Sequence, residues 1–186
     1  MALVYIQEYY WSNMGNNIYL TGFSATGKTT VGSILANLLE VRIVDIDSVI
    51  EESEGKTVPD IFSTLGEDYF RELETKCMND ISKLDRVVVS TGGGAPASNK
   101  NRAIMKSSGS VIWLKASVKT IHGRLVDSVG EEGIRKGRPV LSADDPFSRI
   151  SELLKDREQH YSQADIHVST ENRTPEIVAL EIIRRI

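Results

Sequence analysis

The sequence predicts an α/β protein in which a five-stranded parallel sheet lies between two layers of helices, giving three layers in all. About five short runs rich in β-branched residues alternate with segments whose apolar residues recur every three or four positions. A glycine-rich loop separates the first run from the first helical segment, and acidic residues and glycines end the next two runs. Because ligands bind beyond the carboxyl ends of parallel strands, we expect the functional residues at that edge of the sheet.

The composition is that of an ordinary globular domain. The chain has 186 residues, of which 40% are hydrophobic and 26% are charged, and this suits one domain with a full core. The net charge of −4 predicts no general affinity for nucleic acid or anionic membranes, and no apolar run is long enough to span a bilayer. Cys77 is the only cysteine, which excludes an internal disulfide and fits a reducing, cytoplasmic environment.

Residues 1–16 are interpreted as an N-terminal extension of a single domain at residues 17–186. The extension contains no Lys or Arg, whereas a secretory signal needs a basic start and a transit peptide is rich in arginine. Neither kind of targeting segment is therefore expected. The sequence leaves open whether the natural chain starts at Met14.

Residues 22–29 match the phosphate-binding pattern G-x-x-x-x-G-K-[ST], the P-loop, at every fixed position. A β-prone run at residues 17–21 precedes the loop and a helical pattern begins near Lys28, which is the context that the motif requires. Lys28 is expected to reach the β- and γ-phosphates of a nucleoside triphosphate, and the Thr29 hydroxyl to bind Mg²⁺. The predicted ATP-binding residues of this region are Gly22, Ala25, Thr26, Gly27, Lys28, Thr29 and Thr30.

Two acidic residues end the second strand-like run, at residues 41–47. Asp45 is a candidate for holding Mg²⁺, directly or through water, because it lies at the carboxyl end of a predicted strand. Asp47 is a candidate for accepting a hydrogen bond or a proton from a substrate hydroxyl. The alternative is that Asp47 only caps the helix predicted at residues 48–54.

Residues 48–84 are expected to form helices beside the sheet. A helix start is predicted at residues 57–60, and a long amphipathic helix follows Gly66. Arg71 lies near the start of the long helix among four acidic residues, and periodicity alone favours an exposed ion pair for it. The apolar face of the long helix is predicted to contain Tyr69, Phe70, Leu73, Cys77, Ile81 and Leu84.

The run at residues 86–91 is the best signal for a central strand, and Gly92, Gly93 and Gly94 follow it directly. Three glycines at this edge indicate either that a substrate approaches the bare backbone or that the backbone needs positive φ. The alternative is a flexible link to the next helix.

The second half of the chain continues the alternation of helices and strands. Helices are predicted at 99–107, at 120–126 with Arg124, and from Asp145 with Phe147 on its apolar side. By default, the side chain of Arg157 in that third helix is interpreted as solvated. Strands are predicted at 110–115 and 165–169, and a final helix begins at residues 174–176, with Ile177, Val178, Leu180, Ile182 and Ile183 packing it down.

Residues 127–143 have few apolar residues, three glycines and several basic residues. Their composition predicts a loop, which is either a flexible lid that closes over phosphates or a mobile surface loop with solvated charges.

Taken in order, the P-loop, Asp45-Ile46-Asp47, Phe70-Arg71, the three glycines, Arg138-Pro139-Val140-Leu141 and Arg157 with Tyr161 resemble the shikimate kinase family. The resemblance covers about residue 17 to the end of the chain. It implies a P-loop fold of the nucleoside-monophosphate-kinase-like type, with the substrate-binding helices at about 48–84 and the lid at about 127–143. It also implies a cytoplasmic enzyme that phosphorylates the 3-hydroxyl of shikimate with ATP and Mg²⁺, as a monomer, in aromatic amino-acid biosynthesis.

The resemblance also implies roles for individual residues. Asp47 is expected to bind the shikimate hydroxyls, Gly92, Gly93 and Gly94 to offer backbone contacts, and Arg71 with Arg157 to hold the carboxylate. The remaining roles are catalysis by Lys28, Asp47 and Arg138, ATP contacts by Arg124 and Arg138, and metal binding by Thr29 and Asp45.

Two further functions stay open at this point. One is another small-molecule kinase of the same fold, such as a gluconate kinase, because two arginines would suit any carboxylate. The other is a non-catalytic relative that binds nucleotide or a partner, although every candidate catalytic position carries a competent residue. The stretch between Arg124 and Arg138 is longer than is usual in the family.

Overall fold

The structure, a computed structural model, describes residues 17–137, 139–141 and 143–186. Within these ranges, five strands form one sheet in the order β2-β3-β1-β4-β5, and all neighbouring strands are parallel. The predicted five-stranded parallel sheet is therefore confirmed. The strands are β1 (Asn17–Thr21), β2 (Arg42–Asp45), β3 (Val87–Ser90), β4 (Gly109–Lys115) and β5 (Ile166–Ser169).

Helices connect the strands, and most of them begin where the sequence predicts. Thr57, Asp145 and Thr174 each cap a helix, because each side chain accepts a hydrogen bond from the backbone N–H three residues later. The helices are α1 (Lys28–Leu39), α2 (Ile46–Glu54), α3 (Val58–Thr64), α4 (Gly66–Ile81), α5 (Asn99–Ser108), α6 (Val118–Gly137), α7 (Pro146–Tyr161) and α8 (Pro175–Arg185). Short 3-10 turns lie at Ala95–Ala97 and Pro139–Leu141.

Two hydrophobic clusters cover the two faces of the sheet, as the three-layer prediction requires. Side chains alternate between the faces of a strand, so Ile18 and Leu20 of β1 join the cluster with α1 and α8, whereas Tyr19 joins the cluster with α2, α4 and α5. A third cluster connects α6 and α7 to Phe23 in the P-loop. This third cluster ties the P-loop to the helices that lie beyond the sheet edge.

The prediction of a loop at residues 127–143 is wrong over its first part. Helix α6 continues through residue 137 and departs from helical geometry only at Gly130, where φ is 69° and ψ is 168°. Ile134 and Leu141 are both buried in the third cluster, so apolar anchors hold a segment whose composition predicts a loop. Whether the segment closes over a substrate stays a prediction, and Arg138 lies outside the described residues.

Some predicted apolar faces are also wrong. Tyr69, Phe147, Ile177 and Leu180 are between 37% and 50% exposed. On α4 the buried residues are Phe70, Glu74, Met78 and Ile81, so a carboxylate occupies a position of the buried stripe. Hydrophobicity alone could not place Glu74 there. Within the described ranges, no helix is both long enough and apolar enough to cross a membrane.

Candidate active site

The P-loop has the backbone geometry that its sequence predicts. Gly22 has φ 135° and Gly27 has φ 94°, a region that favours glycine. A Cβ at Gly22 would lie 2.5 Å from the carbonyl oxygen of Leu114, so a side chain does not fit there. Gly27 is the N-cap of α1 and brings no side-chain capping bond, which leaves the first backbone N–H groups of the helix open toward a ligand.

Lys28 is folded along the P-loop. Its side-chain Nζ donates hydrogen bonds of 2.9 Å to the carbonyl oxygens of Gly22 and Phe23, and the residue is 9% exposed. The ammonium group is thereby held beside the turn whose N–H groups are open to a ligand. Its predicted contact with the β- and γ-phosphates stays a prediction.

Three side-chain oxygens from neighbouring elements meet beside the P-loop. The Thr29 hydroxyl donates to Asp45 Oδ2 at 2.8 Å and lies 3.1 Å from the Ser90 hydroxyl oxygen. Hard oxygen ligands of this kind suit Mg²⁺. The sequence singled out Thr29 and Asp45 but missed Ser90, which the parallel register of β2 and β3 places opposite Asp45. No group of three or more His, Cys, Asp or Glu residues suited to a metal occurs in the described part of the chain.

The two acids after β2 have different positions. Asp45 is the N-cap of α2 and accepts a hydrogen bond from the Ser48 N–H, so the alternative of a capping role belongs to Asp45 and not to Asp47. Asp47 lies in the first turn of α2, and its buried Oδ1 has no hydrogen-bond partner among the described residues. Burial raises the pKa of Asp47, and the neighbouring Asp45 carboxylate raises it further. Asp47 is thus a carboxyl group with an unused acceptor.

A cavity of about 290 Å³ opens beside Asp47. Its lining includes Ser24 of the P-loop and Val129 and Gly133 of α6, so phosphate and acceptor sites would adjoin in it. The other lining residues are Asp47, Glu51, Val58, Pro59, Phe62, Phe70, Arg71, Glu74, Gly92, Gly93, Gly94, Gly137, Val140 and Arg157. The substrate candidates from the sequence therefore meet around one space, although they come from four separate parts of the chain.

The expectation of an exposed ion pair for Arg71 holds only for its pair with Glu67, because its second partner, Glu74, is fully buried. Its guanidinium group donates to Glu67 Oε1 from Nε at 3.2 Å and from Nη2 at 2.9 Å, and to Glu74 Oε2 from Nη1 at 3.0 Å. The guanidinium carbon also lies 5.3 Å from the ring centroid of Phe70 and 5.9 Å from that of Phe62. Acidic and aromatic neighbours thus fix the orientation of a half-buried guanidinium at the cavity.

Glu74 is a site residue that sequence reasoning missed. The side chain is fully buried, and its Oε1 has no hydrogen-bond partner within the described residues. Burial raises the pKa of Glu74 to about 7, although the Arg71 guanidinium opposes the shift. The available signal was its spacing, three residues after Arg71 and four after the buried Phe70.

None of the three glycines after β3 has a φ in the left-handed region, and close approach requires glycine at Gly92 and Gly94 but not at Gly93. A Cβ at Gly92 would lie 2.5 Å from Glu74 Oε1, and a Cβ at Gly94 would lie 2.5 Å from Arg71 Nη2. The carboxyl group of Glu74 and the guanidinium group of Arg71 therefore pack directly against the glycine backbone. This excludes a merely flexible link, and the predicted substrate contacts of the glycines stay predictions.

Arg157 of α7 lines the same cavity as Arg71. The guanidinium carbon lies 5.5 Å from the ring centroid of Phe23, and Nη1 lies 3.4 Å from the Gly93 carbonyl oxygen. The default interpretation of a solvated side chain is therefore wrong for this residue. Two guanidinium groups at one cavity suit an anionic group on a ligand.

Arg124 joins the P-loop to the segment after β5. Its Nη1 donates to the Ala25 carbonyl at 3.2 Å and to the Thr170 hydroxyl at 3.1 Å, and Nη2 donates to the Thr170 carbonyl at 2.9 Å. A second cavity of about 490 Å³ lies here. It is lined by Thr26, Gly27, Thr30 and Arg124, and by Thr170, Arg173 and Pro175, which sequence reasoning missed. The position beside the loop suits the nucleoside half of ATP, which stays a prediction.

Comparison with known proteins gives a consistent result. The family model described as Shikimate kinase matches residues 24–186. A curated shikimate kinase from Sulfurihydrogenibium sp. is 42% identical over 91% of this chain and 97% of its own length. The structure superimposes on the shikimate kinase from Acinetobacter baumannii, solved in complex with shikimate, with a TM-score of 0.86, 32% identity and 96% of each chain covered.

A gluconokinase from Sinorhizobium meliloti 1021 also has a similar structure, with a TM-score of 0.57 and 17% identity over 92% of this chain and 93% of its own. Identity this low shows a shared fold alone. The family model and the curated relative cover most of the chain at much higher similarity. The chain belongs to the shikimate kinase family, whose members are small-molecule kinases.

Proposed function

We propose that this protein transfers the γ-phosphoryl group of ATP to the 3-hydroxyl of shikimate, which yields shikimate 3-phosphate and ADP. The observation that carries the proposal is the shared cavity, where the P-loop residue Ser24 lines the same space as Asp47, Arg71 and Arg157. A phosphoryl donor on the loop and a carboxylated acceptor between the arginines would thus meet with no water layer between them.

The donor side consists of the P-loop and its surroundings. The open N–H groups at the start of α1 and the Lys28 ammonium would bind the phosphates, and Lys28 would stabilise charge on the transferred group. Thr26, Thr30 and Arg124 would contact the rest of ATP, since they line the adjoining cavity. By the family resemblance, Arg138 would reach the transferred phosphoryl group as well.

The donor set fits a magnesium ion held by Thr29 and Asp45. Their oxygens already lie 2.8 Å apart, and Ser90 adds a third oxygen to the group. A bound Mg²⁺ would neutralise phosphate charge and orient the triphosphate. Omission of the metal should abolish turnover, which a titration of activity with Mg²⁺ after chelation would check.

The acceptor side places a base beside a carboxylate clamp. Arg71 and Arg157 would hold the carboxylate of shikimate, which fixes the ring with its hydroxyls toward Asp47. The 3-hydroxyl oxygen forms its new bond to the γ-phosphorus as the bond to the β–γ bridging oxygen breaks. Asp47 would accept the hydroxyl proton, and the burial that raises its pKa makes it a better proton acceptor.

The first experiment measures ADP release from Mg-ATP with shikimate and, in parallel, with gluconate. Saturable turnover with shikimate alone is expected, together with a product that carries one phosphate. Turnover with gluconate alone would contradict the assigned acceptor and leave the kinase fold intact. Binding of ATP without turnover of either compound would favour a non-catalytic relative. Light scattering of the same sample would check the expectation of a monomer.

A further inference from the structure

Tyr161 ends α7, and its hydroxyl contacts both the Gly93 carbonyl and the Arg157 guanidinium. The residue is 1% exposed, and its ring stacks on Trp113 with 5.7 Å between the centroids and 27° between the planes. Its hydroxyl donates a hydrogen bond of 2.5 Å to the carbonyl oxygen of Gly93. Burial raises the pKa of the phenol to about 12, so the hydroxyl stays protonated and remains a donor near neutral pH.

The Gly93 carbonyl has two donors at different distances. Arg157, one helical turn before Tyr161, places Nη1 3.4 Å from the same oxygen, so the phenol makes the shorter bond. Gly93 also lies against the P-loop, since a Cβ there would be 3.4 Å from the Ser24 backbone nitrogen and 3.7 Å from Arg157 Nη1. Tyr161 and Arg157 thus share one acceptor at the wall of the cavity.

We propose that Tyr161 is a positioning residue for the acceptor's carboxylate, because its hydroxyl satisfies the Gly93 carbonyl and leaves the Arg157 guanidinium available to the ligand. This inference rests on the proposed function, in which Arg157 binds the carboxylate. It assigns no contact between Tyr161 and the substrate.

Removal of the phenol hydroxyl would change the competition for the Gly93 carbonyl. A buried carbonyl without a donor is costly, and Arg157 is the nearer alternative donor on the same helix. Arg157 would then turn toward the backbone, and its N–H groups would be less available for a carboxylate in the cavity. The phosphate site would keep its contacts, because Lys28 and Thr29 are bound to other atoms.

The test compares Tyr161→Phe with the matched control Tyr19→Phe. Tyr19 is also fully buried, and its hydroxyl lies 2.7 Å from the Ser108 hydroxyl, so the control loses one buried tyrosine hydroxyl outside the cavity. For Tyr161→Phe we expect KM and Kd for shikimate to rise about fivefold to tenfold, the size of one net hydrogen bond. KM for ATP and kcat at saturation should stay within about twofold of wild type. In Tyr19→Phe, KM and Kd for shikimate, KM for ATP and kcat should all stay within about twofold of wild type.

A double variant tests the path through Arg157. Arg157→Ala should raise KM for shikimate, and addition of Tyr161→Phe to it should raise KM no further, since the guanidinium on which Tyr161 acts is gone. Effects that multiply would overturn the inference. Equal constants in Tyr161→Phe and Tyr19→Phe, or a parallel rise of both KM values in Tyr161→Phe, would overturn it as well.

The same measurements separate this inference from the proposed function. If the wild-type protein fails to bind shikimate by calorimetry, the proposed function is contradicted and the inference with it. If the wild type binds and phosphorylates shikimate but the two tyrosine variants behave alike, only the inference is contradicted. Melting temperatures of the variants show that each protein is folded.

Discussion

The side of the cavity proposed to bind phosphate and the side proposed to bind the acceptor's carboxylate are built in different ways. The P-loop is one continuous stretch, and Lys28 in it donates to carbonyl groups five and six positions away. The carboxylate side joins Arg71 of α4, the glycines after β3 and Arg157 of α7, with Gly93 and Arg157 sixty-four positions apart. Local chain geometry defines the conformation of the P-loop, although Asp45 and Ser90 join it from other strands, whereas the packing of three elements defines the second side.

This difference predicts how each side responds to substitution. A change in the P-loop should remove charge stabilisation and lower kcat, because the groups there act on the transferred phosphoryl group. A change on the carboxylate side should alter the affinity for the acceptor and leave the affinity for ATP intact. Three of the following four variants test this separation, and the fourth, Glu74→Gln, tests the buried carboxyl group on the carboxylate side.

Lys28→Met should have the largest effect. We expect kcat to fall about 10²- to 10³-fold, since the variant removes a cation aimed at the developing charge while it keeps the length of the side chain. Release of ADP in the presence of shikimate measures it. Lys83→Met is the control, because Lys83 has a side chain that is 65% exposed in a surface ion pair. Intact turnover in Lys28→Met would contradict the assigned mechanism.

Arg71→Ala should raise KM for shikimate about 10- to 100-fold, the size expected for charge-assisted hydrogen bonds. KM for ATP should change by less than about twofold, because the P-loop makes its own contacts. Steady-state kinetics with each substrate varied in turn measures both constants. Arg185→Ala, at an exposed surface arginine of α8, should change neither. A rise in KM for ATP without one for shikimate would sink the carboxylate assignment.

Glu74→Gln should alter the pH dependence of stability. The folded-state pKa of Glu74 is about 7 and the ordinary value is 4.5, so the native protein binds the proton more tightly than the unfolded chain. The associated stability is present below pH 4.5 and is lost as the pH rises to 7. Over this range the free energy of unfolding should fall about 1–3 kcal/mol more in wild type than in the variant.

Urea unfolding at several pH values would measure this difference. Glu72→Gln, at an exposed position on the same helix, is the control and should follow the wild-type curve. Parallel pH curves for wild type and Glu74→Gln would show that the buried carboxyl group does not titrate in this window.

Gly94→Ala should have the smallest effect of the four. The new methyl would lie 2.5 Å from Arg71 Nη2, so the guanidinium must shift, and a flexible side chain can do so at modest cost. We expect KM for shikimate to rise about threefold to tenfold with little change in kcat. Gly123→Ala in α6 is the matched control, because nothing lies within 4 Å of its added methyl. Equal KM values in the two variants would break the link between Gly94 and Arg71.

Parts of the fold were predictable because local signals agree with the final structure. The P-loop glycines, the capping residues Thr57, Asp145 and Thr174, and the β-branched runs each determine their own backbone conformation. Residues 127–137 were not predictable in the same way. Their composition indicates a loop, whereas in the structure they are helical and Ile134 is buried against other helices.

The candidate site shows the same division in its side chains. Asp45 and Asp47 were placed correctly at the sheet edge, but their capping and acceptor positions depend on the start of α2 at residue 46. Glu74 and Ser90 were not predicted as site residues, because neither belongs to a recognisable sequence motif. Their roles come from neighbours, Arg71 on the same helix and Asp45 on the adjacent strand.

By itself, the sequence determined the parallel α/β fold and the phosphate loop, because each is encoded by local residue patterns, and it determined the family resemblance from the order of several such motifs along the chain. The tertiary structure decided which charged side chains are surface groups and which are site groups. The family resemblance pairs Arg71 with Arg157, but their local residue patterns favour surface groups, and packing against Phe62, Phe70 and Phe23 shows that both border the cavity. Burial and distance between remote segments are properties of the folded chain, and no local pattern contains them.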